Sequence, residues 1–293
     1  LAMGVVDRVF PQWMENSWGM WLITFAPLYL IAVPVGLLLL RKVPVKPLEK
    51  HDLKPGRYIV SAIICIFMMY AGNILGTVIT ALLQLLPGIS AGNPILGYAT
   101  DNALLPKVLF MVILAPVIEE YIFRKQLIDR MHIYGEKLAV ITSALMFGLF
   151  HGNLSQLFYA FALGLVFGYV YLKTGRLRYS IGLHMLINFI GSVAGPFFLE
   201  KLAVLDTMET MDMAALEPIL PWLLGFGAYV LVLIGLAIAG LVLLCINKRR
   251  VSFAPAELEL PKESRFRTVY LNVGMILLIL GCAALIISNV IML

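Results

Sequence analysis

Apolar residues run on in long blocks along this chain, at about 17–40, 58–86, 103–124, 137–152, 155–172, 180–199, 219–246 and 267–292, with short polar segments between them. Crossing the roughly 30 Å hydrocarbon core takes about 20 apolar residues in a helix. Inside lipid every backbone N–H and C=O must be satisfied within the protein, which a helix does by itself. The pattern therefore predicts an all-α, polytopic transmembrane bundle of about eight spans, a single integral membrane domain over 1–293. The fourth and fifth blocks are short, and Gly152-Asn153 marks the break between them. The first block lacks a small-residue cleavage site, so it reads as a retained span and not as a cleavable leader.

Composition agrees with lipid as solvent. The chain is 61% hydrophobic and 13% charged, against about 25% charged in a soluble domain, and its mean hydropathy is +0.94. Cys65, Cys245 and Cys282 stand singly in apolar blocks, with neither metal-ligand spacing nor a disulfide framework.

The net charge of +5 does not form a nucleic-acid face, because the charges sit between the spans. With the N-terminus outside, the cytoplasmic loops are 41–57, 124–137, 173–178 and 247–267. Those four loops hold 19 of the 22 Lys and Arg, leaving Arg8, Lys107 and Lys201 outside. The external 200–218 segment is acidic instead, with Glu200, Asp206, Glu209, Asp212 and Glu217. This asymmetry is the positive-inside pattern and predicts both termini outside.

Ionisable groups inside a span cost several kcal/mol or more and are presumed functional until a structural partner is found. Here they gather between residues 115 and 190. In Glu119-Glu120-Tyr-Ile-Phe-Arg124 the two carboxylates point about 100° apart on a helix. Glu120 has i,i+4 spacing to Arg124, which leaves Glu119 free to face a cavity. His151 closes the fourth block in Phe147-Gly-Leu-Phe-His151. Spans three and four turn near Gly135, and Glu119 and His151 each stand 16 residues from it, so at 1.5 Å per residue they reach similar depth. On span six His184 and Asn188 share a face at i,i+4. His51 and His132 fall in loops. Gly164-xxx-Gly168 on span five predicts close helix packing.

Glu119-Glu120-xxx-Arg124, Phe147-xxx-His151 and His184-xxx-Asn188 resemble, in order and spacing, the three motifs of the CPBP family. That family includes the type II CAAX prenyl endopeptidase and the bacterial bacteriocin-processing, Abi-like membrane proteins. The resemblance covers about a quarter of the chain and implies a catalytic core over 103–199. This chain departs from many members at Thr174-Gly175-Arg176, where a small polar residue usually follows the Gly.

The resemblance implies an intramembrane endopeptidase acting on a membrane-associated peptide or protein, CAAX-like or otherwise hydrophobic, in a bacterial plasma membrane. Partners would be that substrate and the lipid bilayer, with no nucleic acid. Glu119 would be the general base toward water, with His151 sharing the water and His184 and Asn188 donating to the oxyanion. Glu120 and Arg124 would hold Glu119 in place. The choice of Glu119 over Glu120 follows the resemblance more than the spacing. No cofactor is required on this reading, while a zinc ion on Glu119, His151 and His184 is the alternative; no HExxH occurs.

Other classes fit less well. No aspartate pair lies in two spans. Gly88-Ile-Ser90-Ala-Gly92 matches a nucleophile-elbow string without the strand-to-helix turn that device needs. A transporter would show two related halves with matching broken helices, and the polar residues here lie in one half only. A non-catalytic bacteriocin self-immunity protein or peptide-binding scaffold using the same fold remains the alternative to a protease.

Overall fold

The computed structural model describes residues 17–87, 89, 103–207 and 216–291, and within them every regular element is a helix, with no strand. We number the helices α1 (Trp18–Leu40), α2 (Pro55–Leu83), α3 (104–131), α4 (Glu136–Phe150), α5 (Leu154–Thr174), α6 (Leu177–Leu205), α7 (Leu220–Arg250), α8 (Lys262–Tyr270) and α9 (Val273–Ile291). The chain is an integral membrane protein. Six helices, α1, α2, α5, α6, α7 and α9, are long and apolar enough to cross a bilayer. The other two expected spans fall short for physical reasons. Helix α3 carries seven charged residues between Lys107 and Arg130, and α4 has only 15 residues. These two helices carry much of the candidate site.

Boundaries shift in two instructive places. The expected span at 267–292 is divided, because the backbone leaves the helix at Leu271 and the Asn272 carboxamide oxygen accepts the Met275 N–H at 3.0 Å, starting α9 afresh. Helix α3 runs on to Met131, so Arg124, counted above among loop charges, is a fully buried helical residue. The Gly88-Ile-Ser90-Ala-Gly92 string lies outside the described residues apart from Ile89, as do Arg8, Glu209 and Asp212.

Helix α5 is the central post, packed against α2, α4 and α6. It approaches α2 so closely that a Cβ on Gly72 would collide with the Tyr159 backbone. On its other side Gly164 abuts Ala144 and Gly168 abuts Val140 of α4, which is the close approach that the paired glycines predict. Cys65, Met69, Leu163, Phe167, Leu183, Ile187 and Leu233 form one apolar cluster shared by α2, α5, α6 and α7. Ile128, Ala139, Val140, Tyr171 and Leu172 form a second. Leu30, Leu39, Leu231 and Leu277 face outward and are exposed, as lipid-facing residues are.

The four basic loops meet at one end of the bundle. Lys46 donates its backbone N–H to Asp129 (3.0 Å), His51 to Thr174 (2.8 Å) and Leu258 to Ile133 (2.8 Å). Side chains add Lys46–Glu257, Lys173–Glu136 at 2.9 Å and Arg178–Asp52 at 2.5 Å. Glu257 is held below the usual carboxylate range by its hydrogen bond and ion pair with Lys46. Gly175 ends α5 at φ 59°, with Glu49 backbone against its α-carbon, so any side chain there would meet both strain and collision. At the opposite end Asn289 donates to the Gly152 carbonyl (2.9 Å). Two helices lie between each basic loop and the next: α2 and α3, α4 and α5, and α6 and α7.

Candidate active site

Two departures from regular helix shape α3. Residues Val108–Leu114 and Tyr121–Gln126 wind as wide π turns, a local geometry often found at functional sites. In the first, Ala115 donates to Phe110 five residues back. The next residue, Pro116, has no N–H, which leaves the Met111 carbonyl without its helical donor. The Asn188 side chain of α6 fills the gap, its Nδ2 donating to Met111 O at 2.8 Å. One of the two Asn188 amide hydrogens is thus committed to joining α6 to α3.

In the second wide turn the Phe123 carbonyl accepts from the Ser143 hydroxyl of α4 at 2.6 Å, and that hydroxyl accepts from Arg124 Nη1 at 2.7 Å. Arg124 then grips Glu120 through Nε to Oε2 (2.9 Å) and Nη2 to Oε1 (3.2 Å). Both side chains are wholly buried. Desolvating two charges is costly, so such a pair persists only when the remaining donors and acceptors are met. Ser143 and the aromatic face of Phe147, 4.7 Å from the guanidinium carbon, meet them here.

His184 of α6 lies with Nδ1 3.2 Å from Glu120 Oε1. That carboxylate is paired with Arg124, so Nδ1 carries the hydrogen and donates, a tautomer assigned from the network. The imidazole is stacked on Phe167 (5.2 Å) and touched edge-on by Phe147 (5.5 Å), which fixes its plane. Its Nε2 then points toward Glu119, 3.8 Å from Oε2. This separation is too long for a direct hydrogen bond. Glu119 retains some exposure, 15%, and makes no direct hydrogen bond among the described residues. His151 follows α4 directly; its Nδ1 donates to Phe147 O at 2.7 Å, and its ring meets Phe147 edge-on at 5.0 Å. Nε2 of His151 is left as an acceptor.

A cavity of about 760 Å³ unites these groups. Glu119, His151, His184 and Asn188 all line it, whereas Glu120 and Arg124 lie behind its wall. Its lining continues along Asn73, Thr77 and Thr80 of α2 and Gln84 just after it, and reaches Leu199 and Phe226, towards the end opposite the basic loops. All six residues singled out from the sequence therefore converge, four on the cavity and two on the support of His184. Ser143, Phe167 and the Asn153-Gln156-Tyr159 face of α5 were not singled out. Their only sequence signal is polarity in an otherwise apolar helix, or, for Phe167, its place inside Gly164-xxx-Gly168. Zinc ligands stand about 2.0–2.2 Å from the metal in a convergent set, and among the described residues no three His, Cys, Asp or Glu side chains form such a group.

Residues 101–190 match the family model described as "Rce1-like: Type II CAAX prenyl endopeptidase Rce1-like". The segment is similar to that family over about a third of the chain. It carries Glu119, Glu120, Arg124, His151, His184 and Asn188 in full, and the resemblance read from the three motifs stands. The chain is also 33% identical over 88 residues to the membrane-embedded CAAX protease MroQ of Staphylococcus aureus (strain USA300). That similarity covers 28% of this chain and 36% of the relative, so the chain spans about a third of the length of the curated protein it matches. No solved structure matches the chain significantly. Helices α1, α2, α7, α8 and α9 lie outside the Rce1-like segment.

Proposed function

We propose that the protein is an intramembrane endopeptidase that hydrolyses a peptide bond of a membrane-associated peptide or protein. The observation that carries this reading is the division of labour between adjacent carboxylates: Glu120 is consumed by Arg124 and His184, while Glu119 faces the cavity beside two imidazoles. A buried ion pair that served structure alone would leave Glu119 unexplained. The similarity of residues 101–190 to type II CAAX prenyl endopeptidases supports the same chemistry.

In the mechanism, a water bound between Glu119 and His151 attacks the peptide carbonyl carbon as Glu119 takes one of its protons. The carbonyl oxygen becomes an oxyanion, and the free amide hydrogen of Asn188 is placed to receive it. Glu119 returns the proton to the amide nitrogen, the C–N bond breaks, and a carboxylic acid and an amine leave, the acid's remaining proton passing to the amine. Glu120 and Arg124 act through His184, fixing its tautomer and its Nε2 beside Glu119. The test is to incubate membranes with the purified protein and sequence the released termini. New termini absent with Glu119→Gln support the reading. Identical peptide sets at equal expression favour a non-catalytic immunity or scaffold role.

The hydrolysis is proposed to run without a resident metal, since among the described residues the site's side chains do not form a three-ligand set. Purified, active protein is expected to contain well under one zinc per chain and to keep its rate in a strong chelator. Stoichiometric zinc lost with His184→Ala would overturn this.

The basic end is proposed to face the cytoplasm of a bacterial cell, with both termini outside, because Lys and Arg are retained on that side. A membrane-impermeant thiol reagent should label Lys201→Cys on intact cells, and Lys262→Cys only after lysis. The reverse pattern would invert the topology.

A further inference from the structure

Helix α5 presents one face at the cavity through Gln156, Tyr159 and Leu163, residues spaced three and four apart. Phe167, four residues beyond, stacks on His184, and Asn153, three residues before, donates to the His151 carbonyl at 2.9 Å. Tyr159 therefore stands on α5 between the levels of the two histidines. Its backbone is braced against Gly72, and it lines the same cavity as Glu119.

The hydrogen bonds around it have a fixed direction. The Asn153 Oδ1 accepts the Gln156 backbone N–H (2.9 Å), which caps α5 and orients the carboxamide. Asn153 Nδ2 then donates to Gln156 Oε1 at 2.6 Å, and Gln156 Nε2 donates to the Tyr159 hydroxyl oxygen at 2.7 Å. An amide nitrogen cannot accept, so the Tyr159 hydrogen must point elsewhere, and no acceptor for it is present among the described residues. A chain of donors polarised in one sense strengthens the last of them. That last donor stands in the lining of the cavity that Glu119 also lines.

We propose that Tyr159 is a catalytic residue, its hydroxyl donating a hydrogen bond to the substrate carbonyl oxygen as that atom becomes an oxyanion. Gln156 and Asn153 are positioning residues that act through it. This rests on the endopeptidase reading above. It also adds a second donor to the one hydrogen that Asn188 keeps free, since the other Asn188 hydrogen is bound to Met111 and the His184 Nδ1 hydrogen is bound to Glu120. No proton is transferred by Tyr159; the bond is made to the developing charge and released with the product.

The experiment is steady-state cleavage by the full chain in detergent or proteoliposomes, using a peptide identified from the membrane digest. Tyr159→Phe keeps the ring and is expected to lower kcat by about 10²–10³-fold with KM within about threefold and unfolding temperature unchanged. Gln156→Glu is the second variant. Its carboxylate still accepts from Asn153 but cannot donate to Tyr159 and instead accepts the hydroxyl hydrogen. It is expected to lose kcat by a similar factor, and the double variant to lose little more than either single one. A purely structural role would move stability and not produce this non-additive loss in kcat. If Tyr159→Phe keeps kcat within twofold, or changes KM alone, while Glu119→Gln abolishes cleavage, Tyr159 is not catalytic and the endopeptidase reading stands. If the parent and Glu119→Gln release the same products, both fall together.

Discussion

Glu119→Gln is expected to reduce cleavage by about 10²–10⁴-fold, the usual worth of a positioned general base, while leaving the protein folded. The substitution preserves the shape of the side chain and removes only its capacity to take a proton from water. Glu119 makes no direct hydrogen bond among the described residues, and its nearest basic neighbour, His184 Nε2, is 3.8 Å away, so little structural support depends on its charge. Detergent-solubilised protein should elute and unfold as the parent does. Cleavage rates on a defined peptide decide the matter: activity within a fewfold of the parent would remove Glu119 from the mechanism.

Arg124→Met should have the opposite profile, with stability lost first and activity as a consequence. The guanidinium holds both Glu120 oxygens and the Ser143 hydroxyl with no exposure to solvent. Removing it leaves a buried carboxylate without its counter-charge, which costs about 3–5 kcal/mol in comparable buried pairs. It also frees the acceptor that sets the His184 tautomer. Arg124→Lys should be intermediate, because an ammonium cannot reproduce the planar, two-pronged grip. Thermal unfolding in detergent measures the loss. The informative comparison is Glu120→Leu with Arg124→Met, which removes both charges: stability should recover in part, whereas cleavage should not, because His184 has lost its carboxylate. Stability unchanged in Arg124→Met would show that Glu120 does not need its partner.

How far the sequence could be read depended on what each residue's environment had to be. Among the described residues each of the eight apolar blocks is helical, the last of them divided in two, because lipid leaves the backbone no other economical conformation, and hydropathy reports that directly. The basic loops share one end for a similar reason, a short-range rule about charge retention that needs no tertiary information. Arg124 shows where such counting stops: it reads as a loop charge by position, yet α3 continues past it and buries it. Tyr270 and Val273 likewise belong to one apolar block in the sequence, and only the turn at Leu271 and the Asn272 cap divide them into α8 and α9.

The candidate site divides in the same way. Glu119, Glu120, Arg124, His151, His184 and Asn188 were legible because ionisable and amide groups in apolar blocks are too costly to be incidental, and because their order resembles a known set of motifs. Spacing alone could pair Glu120 with Arg124, an interaction within one helix turn. It could not show that His184 bonds to Glu120 from another helix, that Ser143 closes the guanidinium shell, or that Asn188 answers a carbonyl orphaned by Pro116. Those contacts join residues 19 to 77 positions apart and depend on two wide turns in α3 that hydropathy does not register. The sequence by itself determined the membrane-spanning class, the sidedness of the loops relative to one another and the set of groups that could do chemistry, since each follows from the cost of placing a residue type in lipid. Only the tertiary structure decided which carboxylate faces the cavity, which nitrogen of each histidine is committed, and that Tyr159 completes a chain of donors, because hydrogen-bond direction is a property of packed helices and not of any one segment.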